Sequence, residues 1–544
     1  MFTKKLLVCL VLVGLAIAAA FDAGLTLASS RNPSGQFALE KGCSYLIFTD
    51  GTTYYAQNCS TGAIDYGGLN NAGGDTGTNA TQVIQSAINT IVTSSAGKLL
   101  FGPGTFIVSG RHLIQYDRSY YICSVLTLGT SGTSNVQLSI AGQGIGVTTI
   151  KLANSQNCNI AYFEGYKSLT LKDLTLDGNN ANNTYSVDGA ALLLTGGAAS
   201  ATTTRTYLTV DSVAFQNSFA SGIYLGYNGY PTSGYDKYAS IANSRFINGT
   251  GTDAAIHADD TYQSSLSNLL IANYPIGIML AGPTVGFLAE FSASGITEID
   301  VQQNVIKYAA DASFSDIRMD YNTIQATGGL EGAAFYIANS SNITLSNPVV
   351  AEGDVQGAYN QYGIDIQQST VFVNNPNIAA ERLAIESDNN SVVNVNGGSL
   401  DTTGPGTTIT AFAYTGNLTL EGTTLSSSNY CFSAGSADDY LRLLGVFLNG
   451  CPNVYMPTGK VSWTAVTSDP TTKKLSNQGT ATISSSTSVS VTHRLFGTPT
   501  LVLITPENTG YGTYEVTAIG PTTFTITVQT PGTYSFYWYA EYRP

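Results

Sequence analysis

The chain is predicted to be all-β, a parallel β-helix with a helical N-terminal cap and a small antiparallel β-sandwich behind it. Three observations carry that expectation. First, one short strand keeps returning: Gly222-Ile223-Tyr224-Leu225, Ala255-Ile256-His257-Ala258, Gly277-Ile278-Met279-Leu280, Val305-Ile306-Lys307-Tyr308, Ala334-Phe335-Tyr336-Ile337, Gly363-Ile364-Asp365-Ile366 and Arg382-Leu383-Ala384-Ile385. Copies recur roughly every 20–30 residues, a period at which a coil winds once and stacks on itself. Second, charged residues are only 11% of the chain, while Gly (57) and Tyr (33) abound, a mix suited to short strands and turns. Third, the style changes near Leu475 to brief alternating runs between Gly and Pro turns.

In order, Lys4 and Lys5 precede an apolar run from Leu6 to Ala20. This reads as a secretory signal over 1–20, too short for the ~20 residues of a membrane span. Export favours oxidised thiols. Of seven cysteines, Cys9 sits in the signal and the remainder suggest Cys43–Cys59, Cys123–Cys158 and Cys431–Cys451. Sequons at Asn58, Asn79, Asn182, Asn248, Asn339, Asn342, Asn389 and Asn417 would suit a glycoprotein.

Residues 21–75 hold a linker and a strand pair, Ser44 to Phe48 and Thr53 to Tyr55, about the turn Asp50-Gly51. A helix is expected over Ala80 to Ser94, where Val83, Ile84, Ala87, Ile88 and Ile91 share one face and Thr78, Asn79 or Thr81 caps it. It would plug the open end of the solenoid formed by 76–465. About eleven coils fit between Leu169 and Lys460. Asn217, Asn248 and Asn273 fall at matching turns and read as an asparagine ladder. Residues 475–544 form the sandwich, from Thr480-Ala481-Thr482-Ile483 to Tyr534-Ser535-Phe536-Tyr537-Trp538; its aromatic strand could be core, a subunit contact or a sugar platform.

The segments Ile64-Asp65-Tyr66-Gly67-Gly68, Ala80 to Ile88, Lys98-Leu99-Leu100-Phe101-Gly102-Pro103-Gly104, Ile140-Ala141-Gly142-Gln143-Gly144 and Leu174-Thr175-Leu176-Asp177-Gly178-Asn179 occur in that order. They resemble the opening of the pectate-lyase-like superfamily, which includes polygalacturonases, pectate lyase relatives and viral tailspikes. The resemblance implies a right-handed helix and an extracellular polysaccharide as partner. Val491-Thr492-His493 to Thr498-Pro499-Thr500 resembles terminal modules of secreted and tail-fibre proteins.

Strand side chains alternate faces, so Tyr224, His257, Met279, Lys307, Tyr336 and Asp365 should form one outward row. Candidate catalysts are Asp365 and Glu386, read as two positions out of step on adjacent coils and so roughly 8 Å apart, the spacing of an inverting glycoside hydrolase. Asp253, His257 and Asp259, with Asp260, form a second cluster, and Tyr224, Lys307 and Tyr336 are candidate substrate-binding residues. Thr252-Asp253-Ala254-Ala255-Ile256 is similar to the Asn-Thr-Asp motif of polygalacturonases, implying a catalytic role for Asp253. Their following Asp-Asp pair is replaced here by Tyr274-Pro275-Ile276-Gly277, and their Gly-His-Gly and Arg-Ile-Lys motifs are absent.

A net charge of −14 argues against nucleic acid. Three histidines without clustered Cys/His spacing argue against zinc, and Lys307 lacks the carboxylate cluster of a calcium-dependent lyase, so no cofactor is expected, with calcium left open but not indicated. Two readings follow: a secreted polysaccharide-acting protein, hydrolase before lyase, or a non-catalytic surface, adhesion or appendage protein. The sequence leaves enzyme status open, and leaves monomer and homotrimer equally so.

Overall fold

The computed structural model describes residues 42–542 except 68–76, 118–119, 129–135, 185–190, 197–205, 227–237, 252, 260, 282–287, 321–332, 352–361, 405–407, 436–439, 454–459 and 469–472. The expected signal at 1–20 and the linker after it lie outside the described residues, as do Thr252 and Asp260. The architecture below belongs to the unit Ser44–Pro544.

Parallel strands stack into three ladders, visited in a fixed order by each coil. In one coil Tyr207–Gln216 serves two of them, pairing with Tyr238–Ala242 in the first and Arg245–Ile247 in the second. Ser221–Leu225 then joins the third ladder, beside Ala254–Ala258. Apolar side chains of all three point into one continuous core, from Ile47 through Ile223, Ile256 and Ile364 to Leu448. Each coil alone leaves its inner face bare, so burial comes from stacking.

The turns explain the asparagines. Asn217, Asn248 and Asn273 have φ of 54°, 61° and 56°, a left-handed conformation that asparagine tolerates. Asn273 Nδ2 donates to Asn248 Oδ1 at 2.9 Å, and Asn217 Nδ2 donates to Asp177 Oδ1 at 3.0 Å. A second file runs Asn268 to Asn243 to Asp211.

Helix α1, Ala80–Ser94, forms where its apolar spacing predicts; Asn79 caps it by accepting from Thr81 N at 2.9 Å. Its buried face includes Val83, Ile84, Ala87, Ile88 and Ile91, all within the main core. The hairpin Tyr45–Thr49 with Tyr54–Asn58 also pairs in parallel with Ala96–Phe101, which welds it to the first coil. Cys123–Cys158 and Cys431–Cys451 are disulfides within the coils.

The C-terminal region is one four-stranded antiparallel sheet: Ser476–Thr492, Leu501–Pro506, Tyr514–Thr517 and Thr523–Glu541. The short runs expected at Thr480 to Ile483 and Ser488 to Val491 are a single strand, bulged around Ser486. Phe524 and Trp538 belong to the same strand, yet their ring centroids lie 5.6 Å apart. The sheet therefore folds across itself around its own core of Ile483, Phe524, Ile526, Phe536 and Trp538. Leu475 joins the core of the coils, with Phe496 and Tyr542 packed against that core.

Candidate functional site

The third ladder carries the outward row. Tyr224, His257 and Met279 occupy consecutive rungs in register, as expected. Beyond a register irregularity between Ile276 and Met279, Val305 and not Lys307 lies opposite Met279. The row continues through Tyr336, Asp365, Glu386 and Phe412. Lys307 is thus displaced two positions along its strand, although its Nζ reaches back to 4.8 Å from the Tyr336 ring centroid.

Asp365 and Glu386 are directly opposite each other, which corrects the staggered placement expected from the repeats. Direct opposition on adjacent rungs means a backbone spacing of about 4.8 Å in place of the roughly 8 Å diagonal. Asp365 is buried, with 5% of its surface exposed. Its Oδ2 accepts from Gln367 Nε2 at 3.3 Å, and Gln367 Oε1 accepts from the Tyr336 hydroxyl at 3.2 Å. Burial first, then the charges of Asp365 and Asp388, push the Glu386 carboxyl up to about 8. Two carboxyls this close cannot both ionise cheaply, and the more exposed one keeps a proton near neutrality.

Around the pair lie aromatic groups the repeat pattern did not single out. Phe412 occupies the rung after Glu386, and Tyr414, 46% exposed, packs beside it at 5.6 Å between ring centroids. On the other side Val305, Tyr336 and Ala338 join Ile276 in an apolar patch separate from the main core. The signal for Phe412 was present in Ile409–Tyr414, whose alternation puts Phe412 and Tyr414 on one face.

The second cluster stands apart, since His257 and Asp365 are four rungs, or about 19 Å, from each other. His257 Nδ1 meets Asp253 Oδ1 and its Nε2 meets Asp259 Oδ1, both at 2.9 Å. Asp253 Oδ2 accepts from Ser221 Oγ at 2.6 Å, and Asp259 accepts from the Tyr224 hydroxyl. Burial alone would depress the imidazole; the two carboxylates outweigh it and hold the ring up at about 9. With both nitrogens engaged, the ring is a charged cross-link and has no free lone pair for base catalysis.

Among the described residues no group of His, Cys, Asp or Glu is arranged to hold a metal ion, and no helix is long and apolar enough to cross a membrane.

The fold defines the class: this is a parallel β-helix. No protein-family model and no curated protein matches the chain. Among solved structures, the tailspike protein gp49 from Pseudomonas phage LKA1 is similar over 84% of this chain and 92% of its own, at 13% identity and a TM-score of 0.50. The A-module of Azotobacter vinelandii mannuronan C-5 epimerase AlgE6 matches over 72% of this chain and 96% of its own, at 16% identity and a TM-score of 0.32. A tailspike of E. coli bacteriophage HK620, solved with a pentasaccharide, matches over 89% and 92%, at 10% identity and a TM-score of 0.37.

Proposed function

We propose that the chain binds an extracellular polysaccharide along the third ladder and hydrolyses it at the Asp365–Glu386 pair. The observation that carries this is the direct opposition of the two carboxyls, one of them held protonated to about pH 8. Glu386, the more exposed, delivers its proton to the departing glycosidic oxygen. Asp365 attacks the anomeric carbon as that bond breaks, forming a glycosyl-enzyme; Glu386, left as the carboxylate, then takes a proton from the water whose oxygen displaces Asp365. Rung spacing of about 4.8 Å resembles the ~5–5.5 Å between carboxyls of retaining glycosidases and leaves no room for an intervening water, so retention of configuration is expected in place of inversion. Phe412 with Tyr414, on the rung beyond Glu386, offers apolar faces to the sugar rings.

The test incubates a panel of neutral and acidic polysaccharides with the wild type, Asp365→Asn and Glu386→Gln, and measures new reducing ends. Loss of the general acid should slow release about 10²–10⁴-fold. Equal rates in the wild type and Glu386→Gln would remove the pair from catalysis. Binding without cleavage by the wild type would favour the non-catalytic adhesion or appendage reading.

A further inference from the structure

We propose that Gln367, itself oriented by Tyr336, is a positioning residue that decides which member of the Asp365–Glu386 pair carries the shared proton. It holds Asp365 as the carboxylate and so leaves the proton on Glu386. The inference deepens the hydrolytic reading above and rests on it.

The argument begins with what each group can donate. An ionised carboxylate only accepts hydrogen bonds, whereas a carboxamide has one donating and one accepting end. Gln367 Nε2 lies 3.3 Å from Asp365 Oδ2, and the other end of the same amide, Oε1, takes the Tyr336 hydroxyl at 3.2 Å. With Oε1 accepting the phenol's proton, the amide presents N–H to Asp365. A flipped amide would set its carbonyl against the carboxylate and lose that bond, while its N–H₂ would donate to the phenol oxygen instead. Donation to the charged form of a carboxyl favours that form.

Glu386 receives no comparable help. Among the described residues no hydrogen bond reaches its carboxyl, while Asp365 lies opposite it and Asp388 two positions along the same strand. The neighbouring strand aligns Gln367 with Asp388, so Gln367 flanks the pair without lying between its members. Asymmetry in donors therefore separates two carboxyls that the bare ladder would treat alike. A directed general acid needs that separation, since a proton shared evenly would be absent from Glu386 half the time.

The experiment uses the full chain with ¹³C-labelled Asp and Glu carboxyls, the Asp365 and Glu386 signals being assigned with Asp365→Asn and Glu386→Gln. In the wild type the upper titration step should fall on the Glu386 carbon. In Gln367→Leu, part of that step should move to the Asp365 carbon, and the alkaline limb of the pH–rate profile should broaden. Tyr336→Phe removes one oxygen only and should move the step in the same direction by less, which keeps the test open should Gln367→Leu not fold. An Asp365 carbon that titrates as in the wild type in the folded variants overturns the proposal. If the wild type cleaves no polysaccharide, the hydrolytic reading falls, and the carboxyl titrations still decide where the proton resides.

Discussion

Tyr224 lies flat on His257, with ring centroids 4.0 Å apart on consecutive rungs. The same tyrosine donates its hydroxyl to Asp259, which in turn grips the imidazole. A ring clamped on both edges and covered on one face is a structural brace. Its charge sets a pH window. The imidazole rises from 6.5 to about 9 on folding, so its stabilisation is complete below about pH 6.5 and is lost as pH climbs through about 9. His257→Ala should cost about 3 kcal/mol at pH 6, the scale of breaking a buried charged pair. Thermal melts should show the gap from the wild type narrowing towards pH 10.

Hydrolysis should fail on the alkaline side. Glu386 must be protonated to act as acid, and its carboxyl lies at about 8, so kcat/KM should fall as pH passes through that value. Asp388 is one of the charges that raise it. Asp388→Asn should therefore shift the alkaline limb to lower pH, as read from a pH–rate profile. The same elevation opposes folding as pH rises from 4.5 towards 8, so Glu386→Gln should melt at a higher temperature than the wild type at pH 8.

Gly277 marks a crowded point inside the coils. A Cβ there would meet the fully buried Glu298 carboxyl and stand 2.9 Å from Asn304 Oδ1. Burial pushes Glu298 up to about 8, and Asn304 Nδ2 donates to its Oε2 at 2.7 Å. Gly277→Ala should destabilise by about 1–3 kcal/mol through overpacking. Part of that loss should vanish when Glu298→Ala is added, so a double-mutant cycle by denaturant melts should be clearly non-additive.

The asparagine ladder gives a backbone test. Asn248 sits at φ 61° and accepts from Asn273. Asn248→Ala should lower stability by about 1–2 kcal/mol, while Asn248→Gly, free of the Cβ penalty, should lose less. Calorimetric melting of the two variants separates conformational strain from the lost side-chain bond.

Binding should depend on the aromatic flank. Phe412→Ala or Tyr414→Ala should raise KM several-fold with kcat little changed, because the rings hold sugar without touching the bond that breaks. Initial rates over a range of polysaccharide concentrations make that comparison.

The repeats made the staircase legible because Ile223, Ile256 and Ile278 keep their phase from rung to rung. Phase was lost where the pattern admitted two registers. Val305, not Lys307, stands opposite Met279, and a shift of two residues keeps the same face outward, so side-chain alternation does not separate the two placements. At the next failure a polar residue misled: fully buried Ser387 stands opposite Ile366, so apolar matching slid Ile385 two residues too far and separated Glu386 from Asp365. The runs Thr480 to Ile483 and Ser488 to Val491, expected as separate strands, likewise lie within one continuous bulged strand.

The first coil of the stack is covered by α1, whose apolar face lies within the main core. A stopper there leaves an incoming copy no bare apolar rung on which to lengthen the staircase.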